Sequence, residues 1–241
     1  MQLKNTSFTE LMQRRIFNVL LVANPYDAFM LEDDGRVDEK IFQEYARLGL
    51  SFPPRFVQVS TEQEAEQELS KGEINLVICM PSRHVARGNS NMNAAGAVSD
   101  LPARKAGEDN DVFDMARSIK TRYKDIPMVV LTPFSHGITA RMQDIDLGIF
   151  EYVFCWLGNT DLLITIIKLI EDRMNLEHDI SAGVQMIMLV EDNIRFYSSI
   201  LPSLYKFVLH QSLEFATEAL NTSLEKLRMR GRPKIVLARN Y

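Results

Sequence analysis

Cysteine is nearly absent: Cys79 and Cys155 are the only two in 241 residues. Each falls at the end of a predicted strand, and in the strand order argued below one strand separates them. That spacing is roughly 9–10 Å, beyond the ~7 Å reach of a disulfide, so two buried thiols are expected. Four histidines, His84, His136, His178 and His210, are scattered without ligand spacing, which predicts no zinc site. No Gly-rich phosphate loop precedes a G-K-[ST], and no G-x-S-x-G elbow occurs, which removes the commonest phosphate-loop and serine-hydrolase readings. Long apolar runs are missing too. The longest, Leu162–Ile170, is broken by Thr165 and Lys168 and is too short for a bilayer, so no membrane contact is expected. The N-terminus MQLKNTSFTELMQRR has no apolar core of a signal peptide, and the cytoplasm is the expected location. Excess positive charge is also lacking. A net charge of −5 argues against nucleic acid, whose binders usually carry a basic face.

What is present is a strand–helix alternation. Phe17–Val22 is a near-continuous apolar run, the mark of a parallel strand covered on both faces. Asp38–Leu48 has helical spacing at 41, 42, 45 and 48, and Arg55–Val59 is a short strand. Thr61–Leu69 is a glutamate-rich surface helix, with Thr61 and Glu64 as a capping box. Ile74–Met80 is a third strand. Residues 82–110 lose all periodicity and read as a long loop. Within it Arg83, Arg87, Arg104 and Lys105 could line a phosphate-binding lid, against the plainer reading of a solvated insertion. Asp111–Lys120 is a helix, Ile126–Leu131 a fourth strand, Ala140–Leu147 a short helix and Tyr152–Trp156 a fifth strand. Asn159 or Thr160 caps a helix expected to run to about residue 181 as a rod.

Five βα units in a row require a parallel sheet with right-handed crossovers. The expected fold over residues 16–181 is α/β, doubly wound, with five parallel strands in the order 2-1-3-4-5. Then the pattern restarts. Met186–Val190 repeats Val19–Val22, a long amphipathic stretch runs from Arg195 to about Arg230 with Pro202 in its first turn or two, and Lys234–Ala238 matches Phe56–Val59. Residues 184–241 thus read as β1-α1-β2 of a second, truncated unit, and the chain as a fragment of a longer protein. A homodimer of two fragments completing each other and a partly disordered tail are the alternatives for the second unit.

Val129-Val130-Leu131-Thr132-Pro133, the strand Ile74–Met80 and the triplet Glu191-Asp192-Asn193 carry a resemblance. The first unit resembles the receiver domain of response regulators in two-component signalling. In that family an acidic pair ends strand 1 and an acceptor aspartate ends strand 3. Together they hold Mg²⁺, which favours octahedral oxygen ligands. The aspartate is the nucleophile, and a strand-4 hydroxyl and a strand-5 lysine bind the phosphoryl oxygens. Carried over position by position, the acidic pair becomes Ala23 and Asn24, the acceptor Met80, the lysine Cys155 and the following proline Trp156; only the hydroxyl persists, as Thr132. The resemblance therefore implies a degenerate site without phosphoacceptor or cofactor. Glu32-Asp33-Asp34 is a solvated loop on this reading. Phe154 and Trp156 could line a small apolar pocket where the phosphoryl group would sit, against the plainer reading of core packing.

The second unit keeps the acidic pair as Glu191 and Asp192, a candidate weak Mg²⁺ site, with a helix-capping turn as the plain alternative. The wording Val22-Ala23-Asn24-Pro25-Tyr26-Asp27-Ala28-Phe29, Val190-Glu191-Asp192 and the run Arg230–Lys234 is similar to the N-terminal receiver-like region of phosphoenolpyruvate synthase-like and pyruvate phosphate dikinase-like proteins. That implies catalytic parts outside these residues. The leading expectation is a non-catalytic pseudo-receiver, working by contact with protein partners or other domains of its own polypeptide. The family often docks partners on the face of its fourth helix, fifth strand and fifth helix. Two alternatives are a phosphorelay receiver whose acceptor lies in the second unit, and a flavodoxin-like enzyme fragment binding a nucleotide or flavin at the strand ends.

Overall fold

The computed structural model describes residues 10–24, 37–81, 112–133, 147–218 and 221–238. The expected loop at 82–110, residues 140–146 of the expected short helix, the acidic run at 32–34 and the basic lid residues lie outside the described residues; Leu147–Ile149 form a 3₁₀ turn. Five parallel strands form one sheet: β1 (Asn18–Val22), β2 (Arg55–Val59), β3 (Leu76–Cys79), β4 (Met128–Pro133) and β5 (Tyr152–Trp156). Their order is β2-β1-β3-β4-β5, the doubly wound arrangement expected from the alternation. In register, Val22 pairs with Val59 on one side and Cys79 on the other, and Thr132 pairs with Cys155.

The apolar strands are explained by what covers them. Side chains alternate across a strand. Val19, Leu21, Leu76, Ile78, Val129 and Leu131 face one layer, packed with Ile41 and Tyr45 of α1 (Val37–Arg47) and with α4 (Asp161–Ser181). Leu20, Val22, Val77, Cys79 and Val130 face the other, under Ala65 and Leu69 of α2 (Glu62–Ser70) and Phe113, Ala116 and Ile119 of α3 (Val112–Arg122). The capping box forms as read: Thr61 Oγ1 accepts from Glu64 N at 3.2 Å and Glu64 Oε2 accepts from Thr61 N at 3.2 Å. At the start of α4, Asn159 does the capping; its Oδ1 accepts from Asp161 N at 2.9 Å, whereas Thr160 makes no side-chain cap.

The second segment holds a two-stranded parallel sheet, β6 (Met186–Val190) and β7 (Lys234–Ala238), with Met188 opposite Val236. The long amphipathic stretch is not continuous. It is two helices, α5 (Ile194–Thr217) and α6 (Thr222–Arg228), with Asn221 accepting from Leu224 N to start the second. Pro202 sits in the interior of α5 rather than in its first two turns, so Ser198 O receives no helical N–H from it.

The largest departure from the sequence reading concerns α4. It ends at Ser181, as read, but it does more than lead into the next unit. Its apolar residues Leu163, Ile166, Ile167 and Ile170 pack on the five-stranded sheet, and Ile187, Leu189, Ile235 and Leu237 of β6–β7 join the same core cluster, together with Tyr197, Leu201, Tyr205 and Leu209 of α5. One continuous core therefore crosses the position where a unit boundary was read.

Candidate functional site

The C-terminal edge of the five-stranded sheet gathers the residues singled out from the sequence. Ala23 N donates to Val59 O at 3.0 Å, and Met80 N donates to Val22 O at 2.8 Å. These bonds extend the ladders of β1 by one residue past each strand end, so Ala23 and Met80 lie side by side, both buried. Asn24 follows, partly buried. Across the sheet, Thr132 and Cys155 are register partners on β4 and β5, and both are buried. The geometry brings all five positions to one rim. Three of them contribute a methyl, a thioether and a thiol. Asn24 and Thr132 supply the only side-chain oxygens, neither of them charged.

Both thiols are buried, which disfavours the thiolate. Burial pushes Cys79 up to about 12. Burial also raises Cys155, with Arg195 pulling the other way. Both cysteines are free, with β4 between their strands. Phe154 is fully buried and meets Tyr197 edge-on at 5.6 Å, so it packs in the core. Among the described residues no group of three or more His, Cys, Asp and Glu is placed to hold a metal.

The outer edge of β5 is closed by α5. Tyr197 Oη donates to Val153 O, and Cys155 N donates to Ser198 Oγ at 2.9 Å. An edge strand normally leaves such groups bare; here two neighbouring side chains from one helical turn satisfy a carbonyl and an amide. The face of β5 and α4 is thus covered by the chain's own second segment.

At the end of β6, Glu191 N donates to Ala238 O at 3.0 Å and Glu191 Oε1 accepts from Asn193 N at 2.9 Å. Asn193 Oδ1 in turn accepts from Phe196 N at 3.1 Å and caps α5. Glu191 therefore orders the helix-capping turn, while Asp192 is exposed beside it.

Sequence reasoning missed the most charged part of the interior. Lys168, Glu171, Asp172, Asn175 and Asp179 follow helical spacing along one side of α4 and are all buried. Asp172 takes a bidentate pair from Arg232 (2.9 and 2.7 Å), a hydrogen bond from Tyr205 Oη (2.9 Å) and one from Ile235 N (3.0 Å). Lys168 pairs with Glu171 at 2.7 Å, and Glu171 accepts from Ile16 N at 3.1 Å. Lys234 pairs with Asp179 at 3.0 Å and donates to Arg230 O at 3.0 Å. Asn175 clasps the backbone of Arg14 from both sides. Burial, reinforced by Arg232, lowers Lys234 to about 8 despite Asp172 and Asp179. Three acids and three bases thus tie the N-terminal lead-in and β7 to α4. The available signal was the helical spacing of those acids together with the basic run Arg230–Lys234.

A shallow groove of about 350 Å³ lies between β5 and β7, lined by Glu151, Tyr152, Arg173 and Leu237 among others. Arg173 pairs with Glu151 and lies over the Tyr152 ring at 5.6 Å, so its charges are matched within the wall.

No family model matches the chain, and no curated protein matches it. Solved structures of receiver domains are similar to part of it. The signal receiver domain of a Luxo repressor protein from Vibrio parahaemolyticus aligns at 18% identity and a TM-score of 0.42, over 68% of this chain and 96% of that one. A CheY-like receiver domain from Methanospirillum hungatei aligns at 12% and 0.42, over 67% and 98%. The response regulator TrrA from Thermotoga maritima, in complex with Mg²⁺-BeF, aligns at 17% and 0.39, over 64% and 97%. The α/β class and strand order rest on the sheet itself. Among the described residues no helix is long and apolar enough to cross a membrane.

Proposed function

We propose that this chain is a pseudo-receiver: a regulatory module of a larger response-regulator-like protein that acts through protein contact and performs no phosphoryl chemistry on its five-stranded sheet. The observation that carries the reading is the rim at Ala23, Asn24, Met80, Thr132 and Cys155. Where phosphoryl transfer would need a carboxylate nucleophile and two further carboxylates for Mg²⁺, a buried thioether lies against a buried methyl. A thioether accepts no phosphoryl group. The partner of the β5–α4 face is, on this reading, the chain's own α5, held by Tyr197 and Ser198.

The test uses the whole 241-residue chain. Mg²⁺ with beryllofluoride should leave the amide resonances of residues 18–24, 76–81 and 128–133 in place, and acetyl phosphate should leave no acyl-phosphate on the chain. A stoichiometric acyl-phosphate within residues 16–181 would sink the reading.

A second reading has its own observation. Glu191 and Asp192 follow β6 as an acidic pair, on a strand that among the described residues pairs with β7 alone. Mg²⁺ shifting the Glu191 and Asp192 resonances at millimolar concentration would favour a phosphorelay role for the second unit. Thermal shift with flavins and nucleotides tests the enzyme reading; among the described residues the acids and bases that cluster are paired with one another along α4.

A further inference from the structure

One side of α5 is spent on the core: Tyr197, Leu201, Tyr205 and Leu209 are buried there. The opposite side carries Phe196, Ile200, Ser203, Phe207, His210 and Glu214, spaced 4-3-4-3-4 along the helix. That is the spacing of a coiled-coil seam. Phe196 is 52% exposed and Phe207 64%. Ser203, His210 and Glu214 are exposed and Ile200 is half-buried. Single exposed apolar side chains are ordinary; here two phenylalanines occupy matched places on one seam. This surface is separate from the β5–α4 face, which α5 itself covers.

The seam is complementary to itself run backwards. When α5 lies against an inverted copy, turned about a point between Leu201 and Pro202, Phe196 meets Phe207 at both ends. In the middle Ile200 meets Ser203, twice. Antiparallel helices place such mirrored residues at one height. The ends then set ring against ring, a contact worth more than its area. The middle sets a branched chain against a small one, which lets the helices approach. Just beyond each end, the exposed carboxylate of Asp192 comes level with the exposed imidazole of His210 on the other copy, an acceptor facing a donor.

We propose that the outer face of α5 is a dimer interface, in which two copies of this chain pair antiparallel through Phe196, Ile200, Ser203 and Phe207. A two-fold contact uses the same patch on both copies, residue i on j and j on i, and the seam has that symmetry. A helix from an unrelated partner would impose no such inversion. The matched stretch covers about 16 Å of helix, short beside a standard interface, so the dimer is weak and reversible. The inference stands whether or not the first sheet has lost its phosphoryl chemistry.

Sedimentation equilibrium of the whole 241-residue chain, from low micromolar to near-millimolar concentration, is the test. The mass should rise reversibly toward twice that of one chain. Ser203→Glu and Phe207→Glu, both at exposed positions, should weaken association on the order of thirtyfold or more, while circular dichroism at the dilute end stays that of the wild type. Disulfide trapping reads the register. Ile200→Cys and Ser203→Cys, tagged apart and mixed, should cross-link to each other faster than either does to itself, and so should Phe196→Cys with Phe207→Cys. A chain that stays monomeric throughout would overturn the proposal. So would a dimer that both glutamate variants leave intact, or Ile200→Cys cross-linking to itself faster than to Ser203→Cys, the mark of parallel helices.

Discussion

Asp172 shows how much one side chain can hold. It accepts from Arg232 twice, from Tyr205 and from the backbone of Ile235, with no exposure to water. Removing one partner of a buried ion pair typically costs about 3–5 kcal/mol, because the other charge stays buried and unmatched. Asp172→Ala should lose that much in urea denaturation. Arg122→Ala, which breaks an exposed pair with Glu66, should lose less than about 1 kcal/mol. Lys234 gives a pH signature. Its folded value of about 8 lies below the ordinary 10.5 because burial disfavours the ammonium, with Arg232 adding to the effect and Asp172 and Asp179 opposing it. The folded chain releases this proton first. Between about pH 8 and 10.5 the unfolded chain binds more protons, so this group makes stability rise with pH across that window. Tyr45 and Tyr205, raised chiefly by burial, act in the opposite direction above pH 10. The useful readout is therefore wild type minus Lys234→Met between about pH 8 and 9.5: the wild type should gain stability relative to the variant as pH rises. A flat difference would show that Lys234 keeps its proton in the folded chain.

At the scale of elements, α5 bridges the two sheets. Its inner side packs on the core while Ser198 and Tyr197 close the edge of β5. Ser198→Ala leaves the buried amide of Cys155 without its acceptor, for an expected loss of about 1–3 kcal/mol. Amide exchange at Cys155 should rise while exchange at Val130 in the sheet centre stays slow. Elements were also where the sequence was most legible. Arg55–Val59, Tyr152–Trp156, Met186–Val190 and Lys234–Ala238 form strands with the bounds read from their apolar runs, because local pattern and burial agree there. The rim residues were legible for the same reason: a strand's end fixes which residue reaches the sheet edge. The closure of β5 by Ser198 and the buried side of α4 were not. Both depend on which distant element comes to rest on a polar face, and helical spacing alone does not distinguish a solvated face from one matched by buried bases.

For the whole molecule, the core cluster shared by the two segments should make them unfold as one cooperative body. Trp156, the only tryptophan, reports the first sheet, and far-ultraviolet circular dichroism reports all helices. Their urea transitions should coincide. Cutting the chain after Gly183 removes Arg232, Lys234 and Tyr205, so Asp172 loses its guanidinium and phenol partners and Asp179 its buried lysine. The shortened chain should fail to show a native transition. Two separated transitions, or a stably folded short chain, would mean that the segments are energetically independent.

The side-by-side faces of α4 also set a rule about length. Successive residues of a helix are turned by about 100°, so one alanine inserted between Ile170 and Glu171 would rotate every acid after it away from Arg232 and Lys234. The same insertion in a solvated connector would be harmless. Natural and engineered relatives of this chain should vary in length almost anywhere before they vary between Asp161 and Ser181, and grafting a foreign domain at that helix would have to bring its counter-charges along.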